Sequence, residues 1–232
     1  MPNAAPRYNI YDDPDLMRQA VDLGQHREVI GGMWDELGAL QTAFLIAQGL
    51  APEHALIDIG AGSFRAGMKL VPYLDAGNYY AIDLQASLLW AGYTREILPA
   101  GLAGRFPPQN FAANADFDIS GFGRKFDVGI AQSVFSHLPI ARLGDCLAAS
   151  GPYFQVGGRL FVTVFLAPDD AADRPYRQMP GGFVTSPTND PFHTTLKALD
   201  RIASQAGNWH MAVIGNWGHP RNQQMVCFTR LR

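Results

Sequence analysis

An acid and two glycines, Asp58, Gly60 and Gly62, alternate with apolar residues at the end of the run ALIDIG (55–60) and just beyond it. A glycine directly after a strand allows a sharp turn with positive φ, and a second glycine leaves no side chain between the backbone and a ligand. A helix that begins just beyond such a turn offers free N–H groups and the positive end of its dipole. The pattern therefore predicts a turn that binds a phosphate or a carboxylate, with a purely structural βα turn as the alternative.

Position 65 separates two kinds of nucleotide-binding turn. The dinucleotide fingerprint G-x-G-x-x-G needs a glycine or an alanine there for close helix packing, whereas this chain has Arg65. The pattern acid-x-Gly-x-Gly resembles instead the first motif of the class I S-adenosylmethionine (SAM) dependent methyltransferases. That motif often carries a third glycine where this chain has Phe64.

Further segments resemble the same family, in the same chain order. Asp83 is the last residue but one of the run NYYAIDL (78–84), where a carboxylate can accept hydrogen bonds from both ribose hydroxyls of SAM or of NAD. The segment FDVGIAQSVFSHLP (126–139) is similar to the fourth-strand region of small-molecule methyltransferases, and GGRLFVTVF (157–165) to the fifth. The resemblance covers roughly residues 55–232.

The resemblance implies a binding site for SAM as the methyl donor. It implies that the stretch NADF (114–117) supplies an acid and an adjacent apolar residue that contact the adenine. Asp118 is an alternative for the acid. The cofactor-binding residues that it implies are Asp58, Gly60, Gly62, Asp83, Leu84, Asp116, Phe117 and Gln132.

Two histidines are candidates for a catalytic base. Methyl transfer is an in-line displacement, so the main task of the protein is to hold donor and acceptor in close approach. A hydroxyl acceptor also benefits from a base, and an imidazole can take up a proton near neutral pH. His137 follows the fourth strand and is the first candidate, and His193 is the second. For each, packing or helix capping is the structural alternative.

Metal dependence is a competing idea that the sequence does not favour, and no metal site is predicted. Oxygen ligands of the kind that hold Mg²⁺ in catechol-type methyltransferases are available, but they lie in one polar loop, where solvated turn residues are the usual outcome. They are Asp169, Asp170, Asn189 and Asp190.

Nucleic acid is not an expected partner. The net charge is −3, and the chain has no lysine or arginine block. The stretch QSVF (132–135) stands where nucleic-acid amino methyltransferases carry Asn/Asp-Pro-Pro-Tyr/Phe. A small-molecule acceptor is therefore expected.

Short apolar runs alternate with longer amphipathic ones from residue 55 onward, which is typical of a parallel sheet with helices on both faces. The predicted fold class is α/β, a Rossmann-like doubly wound sheet that is mostly parallel with an antiparallel last strand, as in the class I methyltransferase fold. Ligands of such sheets bind at the carboxyl ends of the strands, near the switch in strand order. The predicted strands are 55–60, 78–84, 110–117, 126–132, 158–167, 210–216 and 223–231, and the helices are 63–74, 87–98, 138–154 and 195–207.

The chain divides into a predicted N-terminal helical cap segment, 1–50, and a SAM-binding domain, 51–232, with an insert at 167–192. In the resembling family an N-terminal segment often closes over SAM, and the insert could contribute to the acceptor site. The candidates for covering SAM are Tyr8, Tyr11, Gln25 and Trp34; the insert carries Arg174, Tyr176, Arg177, Phe183 and Phe192.

The composition favours one reduced, cytoplasmic protein. The 232 residues are 47% hydrophobic, which is enough for one sizeable core, and there are only two cysteines. The first residues contain no apolar signal core, so neither secretion nor membrane insertion is expected. The sequence leaves the oligomeric state open, with a homodimer as one option.

The sequence thus predicts a SAM-dependent methyltransferase for a small molecule, with oxygen favoured over nitrogen as the acceptor atom. The alternatives are a small-molecule N-methyltransferase, an NAD(P)-dependent oxidoreductase, and a SAM-binding module without catalysis. The oxidoreductase would usually carry a Tyr-x-x-x-Lys pair, and this chain has none. The identity of the acceptor does not follow from the sequence.

Overall fold

Two helices precede the central sheet in the structure, which is a computed structural model that describes residues 8–232. They are α1 (Pro14–Asp22) and α2 (Trp34–Ala47), and the glycine pair 31–32 lies between them. The side chain of Asp13 accepts hydrogen bonds from the first turn of α1, whose first residue is proline; both features favour a helix start there. Residues 1–7 of the predicted cap segment lie outside the described residues.

Strands and helices then alternate along the chain, as the sequence predicts. The elements up to the insert are β1 (Leu56–Ile59), α3 (Gly67–Tyr73), β2 (Tyr79–Asp83), α4 (Ala86–Gly92), a π-helical turn (Tyr93–Ile97), β3 (Phe111–Ala113), β4 (Phe126–Ala131), α5 (Ala141–Ser150) and β5 (Phe154–Leu166). The remaining elements are β6 (Tyr176–Arg177), β7 (Val184–Thr185), β8 (His193–Thr194), α6 (Leu196–Ala206), β9 (Trp209–Asn216) and β10 (Gln224–Arg230).

The main sheet has the strand order β3-β2-β1-β4-β5-β10-β9, and β8 adds to the end of β5. Strand β1 pairs in parallel with both β2 and β4, whereas β10 is antiparallel to β5 and to β9. The predicted doubly wound sheet, mostly parallel with an antiparallel last strand, is confirmed. The strand order reverses between β1 and β4, so a ligand cleft is expected at their carboxyl ends.

Both faces of the sheet are covered by helices. All four residues of β1 are buried, which explains why its sequence is apolar apart from Asp58. One core includes Leu45 of α2, Leu70 of α3 and Leu89 of α4. The core on the opposite face includes Leu147 of α5 and Leu199 of α6. The sheet is thereby fixed on two sides, and only its strand ends and edges remain free to form a site.

Several element boundaries differ from those predicted. Helix α3 begins at Gly67 rather than at 63, because residues 60–66 form the turn at the end of β1. Strand β3 ends at Ala113, because the side chain of Asn114 accepts hydrogen bonds from the N–H groups of Asp116 and Asp118 and turns the chain. Strand β5 begins at Phe154 and is longer than predicted.

The insert at 167–192 contains the short β6–β7 pair. Its two arginines make exposed local contacts: Arg174 pairs with Asp170, and Arg177 donates to the carbonyl oxygen of Gly182. Neither arginine lines the cavity described below. The division of the chain into a cap segment and a SAM-binding domain stays a prediction.

Within residues 8–232, the structure has no helix with both the length and the apolar character required to cross a bilayer.

Helix α4 passes very close to the turn that follows β1. A Cβ atom on Gly92 would lie 2.4 Å from the backbone oxygen of Ser63, a position from which backbone cannot easily move away. We therefore expect Gly92→Ala to lower the free energy of unfolding by about 1–3 kcal/mol, as overpacking of a filled core does. Urea denaturation monitored by circular dichroism measures this change.

Gly104→Ala is the matched control, because a Cβ atom there would meet nothing within 4 Å. It should change the free energy of unfolding by less than about 1 kcal/mol in either direction. Similar losses in the two variants would contradict a close contact specific to α4.

Candidate functional site

A cavity of about 380 Å³ lies at the carboxyl ends of β1, β2 and β4, beside the switch in strand order. The structure brings His137 and all the predicted cofactor-binding residues into its lining. Those residues are Asp58, Gly60, Gly62, Asp83, Leu84, Asp116, Phe117 and Gln132. Their roles toward a ligand remain predictions, but their convergence makes this cavity the candidate site.

The turn after β1 has room for glycine only. Gly60 and Gly62 have φ values of 74° and 56°, in the left-handed region. A Cβ atom on Gly60 would lie 2.4 Å from Cγ2 of Val134, and one on Gly62 would lie 2.9 Å from Cγ2 of Ile30. The turn is therefore enclosed by the loop after β4 on one side and by the segment before α2 on the other.

Phe64 stands where the first motif of the class I methyltransferases often has a third glycine. Its backbone is left-handed, with φ 67°. Its ring is fully buried against Phe106 and Phe111, with centroid distances of 5.0 and 5.4 Å, and it lies outside the cavity lining. Burial of a phenylalanine side chain contributes roughly 1.5–3 kcal/mol. This offsets the cost of the left-handed conformation, which is about 1–2 kcal/mol. The missing glycine therefore does not close the cavity.

Asp83 joins this turn to the start of α4. Its Oδ2 accepts a hydrogen bond of 2.8 Å from the N–H of Gly62, and its Oδ1 accepts one of 2.8 Å from the N–H of Gln85. Burial raises the pKa of the Asp83 carboxyl, and these hydrogen bonds act in the opposite direction. The carboxylate is thereby held in a fixed orientation at the cavity wall.

Asp58 lies deeper, with 4% of its surface exposed. The hydroxyl of Tyr79 donates to its Oδ2 at 2.7 Å. Burial raises the pKa of Asp58 to about 6, although the Tyr79 hydrogen bond and the charge of Arg65 both favour the ionised form. Asp58 therefore supports the floor of the cavity as a carboxyl group that titrates just below neutral pH.

The end of the cavity near β3 is aromatic and acidic. Phe117 is buried and packs against Phe135, with ring centroids 5.9 Å apart. The guanidinium of Arg142 lies over the Phe117 ring, 5.1 Å from its centroid. Asp116 is exposed and lines the same end. The alternative acid, Asp118, accepts from the N–H of Ser120 and is outside the lining.

His137 is paired with an acid from the insert. Its Nδ1 lies 2.7 Å from Oδ1 of Asp190, 53 positions along the chain, and its ring meets that of Tyr11 edge-on at 5.2 Å. Both His137 and Tyr11 line the cavity. The sequence offers Asp190 only as a metal-ligand candidate and does not predict this pair, because no spacing pattern connects residues so far apart.

His193 is not brought to the cavity. It is buried in β8, where its Nδ1 lies 2.8 Å from Oγ1 of Thr185, and burial lowers its pKa. The helix that follows begins with Thr195 as its cap, so His193 does not cap it either. Its predicted catalytic role is therefore not supported by its position.

No group of three or more His, Cys, Asp or Glu residues that could hold a metal ion occurs in the described part of the chain. Of the oxygen ligands considered above, Asp170 pairs with Arg174 and Asp190 with His137.

The segment before α2 crosses the cavity and is tied to it at several points. Gln85 donates to the carbonyl oxygen of Tyr11 at 2.6 Å, and Ser63 donates to that of His26 at 3.0 Å. Arg27 forms a bidentate ion pair with Glu96, and Glu96 is also hydrogen-bonded to His26. Among the predicted covering residues, Tyr8 and Tyr11 line the cavity, whereas Gln25 and Trp34 do not.

Two further side chains of the lining, Arg65 and Gln41, were missed as functional residues. In the sequence, Arg65 is only a mismatch to the dinucleotide fingerprint, and Gln41 belongs to no motif. Both are buried, and each has one polar atom without a hydrogen-bond partner among residues 8–232: Nε of Arg65 and Oε1 of Gln41. Buried polar atoms without a partner are uncommon in folded proteins, and both residues line the same cavity.

Three solved structures share this fold over more than nine-tenths of the chain. A magnesium protoporphyrin IX methyltransferase from Synechocystis PCC 6803, with bound SAM, is 14% identical and has a TM-score of 0.57, with 98% of this chain and 86% of that chain covered. A putative O-methyltransferase from Nostoc punctiforme PCC 73102 is 18% identical and has a TM-score of 0.63, with 93% and 60% covered. An S-adenosylmethionine-dependent methyltransferase from Clostridium acetobutylicum ATCC 824 is 9% identical and has a TM-score of 0.63, with 92% and 98% covered.

The protein therefore has the class I methyltransferase fold that the sequence predicts. This chain spans about 60% of the Nostoc protein. A scan against models of known protein families gives no match.

The raised pKa of Asp58 predicts a pH-dependent stability. The folded pKa is about 6, whereas an unfolded aspartate titrates near about 3.9. Between these values the folded protein binds more protons than the unfolded chain, so the free energy of unfolding falls as the pH rises from about 4 to about 6. The expected loss from this one group is about 2–3 kcal/mol.

Asp58→Asn isolates this contribution, because asparagine still offers an oxygen to Tyr79 but does not titrate. Urea unfolding at a series of pH values should give a curve for Asp58→Asn that falls less than the wild-type curve over this range. Parallel curves for the two proteins would show that the carboxyl titrates normally in the folded state.

Proposed function

We propose that the protein transfers a methyl group from SAM to a small-molecule acceptor, with a hydroxyl oxygen as the favoured acceptor atom. The observation that carries the proposal is the shared cavity wall of the glycine turn, Asp83 and Phe117. These groups stand at the carboxyl ends of successive parallel strands, in a fold that also belongs to a solved methyltransferase with bound SAM.

The residues present fit SAM along its length. The carboxylate of Asp83 has lone pairs left to accept from ribose hydroxyls, and Phe117 with Asp116 offers an apolar face and an acceptor for an adenine. The unpaired atoms of Arg65 and Gln41 fit a charged polar group at the opposite end. When bound, SAM supplies an electrophilic methyl group on a sulfonium, and the remaining requirement is a correctly placed nucleophile.

His137 is the proposed base for a hydroxyl acceptor. Its Nδ1 faces the carboxylate of Asp190, which favours the tautomer with the proton on that nitrogen. Nε2 is then free to accept the proton from an acceptor hydroxyl as the oxygen attacks. Asp190 also stabilises the imidazolium that this transfer produces, and Tyr11 packs against the ring and limits its rotation.

The alternatives have less support. A small-molecule N-methyltransferase acting on a neutral amine would not need the His137–Asp190 pair, although the pair does not exclude it. A dinucleotide enzyme would need a small residue at position 65, where Arg65 instead spans from the carbonyl of Gly32 to Gln132. A SAM-binding module without catalysis would keep the donor site and show no turnover.

Donor binding is tested by calorimetry with SAM, S-adenosylhomocysteine and NADH. We expect binding of the first two in the micromolar range and none of NADH. Asp83→Ala should weaken SAM binding by about 100-fold, because hydrogen bonds from two ribose hydroxyls to a charged group are lost.

Asp118→Ala serves as the control, since this neighbouring acid lies outside the cavity lining. It should leave SAM affinity within about twofold of wild type. Undiminished SAM binding by a folded Asp83→Ala variant would remove the ribose assignment, and binding of NADH would support the oxidoreductase alternative.

The base is tested with a panel of phenols, catechols and hydroxy acids, scored by release of S-adenosylhomocysteine. With a hydroxyl compound that is methylated, His137→Ala should lower kcat by about 10²–10⁴-fold, the range usual for a general base. Asp190→Asn should lower kcat as well and change the pH profile of kcat. Both variants should bind SAM as the wild type does.

Asp169→Asn is the matched control, because this aspartate is exposed in the same insert and lies outside the cavity lining. Its kcat and pH profile should equal those of the wild type. An unaltered rate in His137→Ala would eliminate His137 as the base.

A further inference from the structure

We infer that the methyl acceptor is a hydroxy acid, and that Arg221 and the hydroxyl of Tyr11 bind its carboxylate at the mouth of the cavity. The inference rests on the proposed function and narrows the acceptor from any hydroxyl compound to an anionic one. Arg221 belongs to the connection between β9 and β10. It is an exposed residue that also lines the cavity, so it lies where the cavity opens to solvent.

A buried histidine fixes the backbone that carries Arg221. The N–H of Arg221 donates to Nδ1 of His219 at 3.2 Å, and the N–H of Asn222 donates to the carbonyl oxygen of His219 at 2.8 Å. The ring of His219 packs against that of Trp217, with centroids 5.6 Å apart. Burial, followed by the charges of Arg221 and Arg65, lowers the pKa of His219 to about 4. The imidazole is therefore neutral near neutral pH and keeps an acceptor nitrogen.

The guanidinium of Arg221 lies against the segment before α2, where a glycine leaves room for it. Its Nη2 donates to the carbonyl oxygen of Gly31 at 3.1 Å. A Cβ atom on Gly31 would lie 3.2 Å from Nη1, which is closer than most side-chain contacts. Gly31 also has a φ of 94°, which residues with a side chain rarely adopt. This contact holds the guanidinium beside the cavity instead of letting it extend into solvent.

Arg221 has N–H groups to spare and no acidic partner. Within residues 8–232, its side chain donates only to Gly31, and no carboxylate forms an ion pair with it. Arg142, another arginine of the cavity lining, does have an acidic partner, Asp145. A guanidinium with free N–H groups can bind both oxygens of a carboxylate. The cavity mouth thus offers a fixed cation that the described part of the chain does not neutralise by contact.

Tyr11 links Arg221 to the proposed base. Its ring meets that of His137 edge-on at 5.2 Å, and its hydroxyl has no hydrogen-bond partner among the described residues. Burial raises the pKa of Tyr11, as does the charge of Asp190, whereas the charge of Arg221 lowers it. Tyr11 therefore lies within electrostatic range of both charges. Its phenol stays protonated near neutral pH and can donate to a carboxylate oxygen.

Two acids act on Tyr11 by their charge, and other groups engage both of them. Asp190 is bonded to His137 at 2.7 Å, and Asp83 accepts from two backbone N–H groups. An acceptor carboxylate would therefore supply the anion that Arg221 lacks. One guanidinium and one hydroxyl match the charge and the two oxygens of a carboxylate. The hydroxyl of the same acceptor is then left for Nε2 of His137.

Calorimetry on the protein saturated with S-adenosylhomocysteine tests the inference, because this product occupies the donor site and allows no turnover. The probes are the ortho, meta and para hydroxybenzoates and para-hydroxyphenylacetate, each compared with its primary amide. The acids place the hydroxyl and the carboxylate at different separations, and the amide keeps the shape without the charge. At least one acid should bind about tenfold or more tightly than its amide, since an interaction between charged groups is lost in the amide.

Three variants identify the groups responsible. Arg221→Gln should reduce the preference for the acid to within about twofold, because the cation is removed. Its affinity for S-adenosylhomocysteine should stay within about twofold of wild type. Arg221→Lys should retain part of the preference, since it keeps the charge without the planar fork. Tyr11→Phe keeps the ring beside His137 and should weaken the acid by about threefold or more.

Arg177→Gln is the matched control. Arg177 is also exposed and donates to one carbonyl oxygen, that of Gly182, but it lies outside the cavity lining. Within the described residues it has no carboxylate in an ion pair either. This variant has the same change of net charge as Arg221→Gln and should keep the wild-type preference for the acid.

The results distinguish this inference from the proposed function. A wild type that binds no acid more tightly than its amide would overturn the inference, as would a preference that survives in Arg221→Gln. A large loss of S-adenosylhomocysteine affinity in folded Arg221→Gln would assign the guanidinium to the donor and overturn its role toward the acceptor. Unchanged acid binding by Tyr11→Phe would remove the hydroxyl from the subsite. Failure of the wild type to bind S-adenosylhomocysteine would overturn the proposed function itself.

Discussion

The space left by two glycines is the constraint on which the rest of this structure depends. Gly60 and Gly62 bring the backbone so close to Val134 and Ile30 that no Cβ atom fits at either position. One turn therefore joins the end of β1, the loop after β4 and the segment before α2. Asp83 adds a fourth contact through the N–H of Gly62. Asp83 and the loop after β4 share this support, so a shift of the turn would disturb both at once.

Phe64 shows that the geometry of a motif can persist where its residue type does not. The backbone keeps the left-handed conformation of the absent glycine, and the ring finds a place among other aromatic side chains of the core. A phenylalanine in this left-handed conformation costs more free energy than a glycine would, and burial of its ring in the core offsets that cost. A pattern search that requires the third glycine would reject this chain, although the cavity beside the turn is open.

The fold and one half of the site follow from the sequence, because both depend on local patterns. Alternating apolar runs gave the strands, and their ends gave Asp83 and the glycine turn. The end of β3 was misplaced because a single side chain, Asn114, turns the backbone early. The pairing of His137 with Asp190 and the unpaired atoms of Arg65 and Gln41 arise from tertiary contacts between distant segments, which leave no period or spacing in the chain. The sequence ranks His137 before His193 as a base candidate, and the structure separates them further, because His137 lines the cavity whereas His193 is buried in β8.

Asp190 belongs to the insert at 167–192, and this location has a consequence for sequence variation among relatives of this protein. His137 takes its acidic partner from the insert at 167–192, whereas Asp83 and the glycine turn belong to the strand ends of the sheet. Under the proposed function, variation in the insert would therefore change the surroundings of His137 while the strand ends continue to bind the same donor. If His137 is the base, as proposed, such variation has to preserve Asp190, and retention of this aspartate among otherwise divergent inserts would mark the proteins that deprotonate their acceptors.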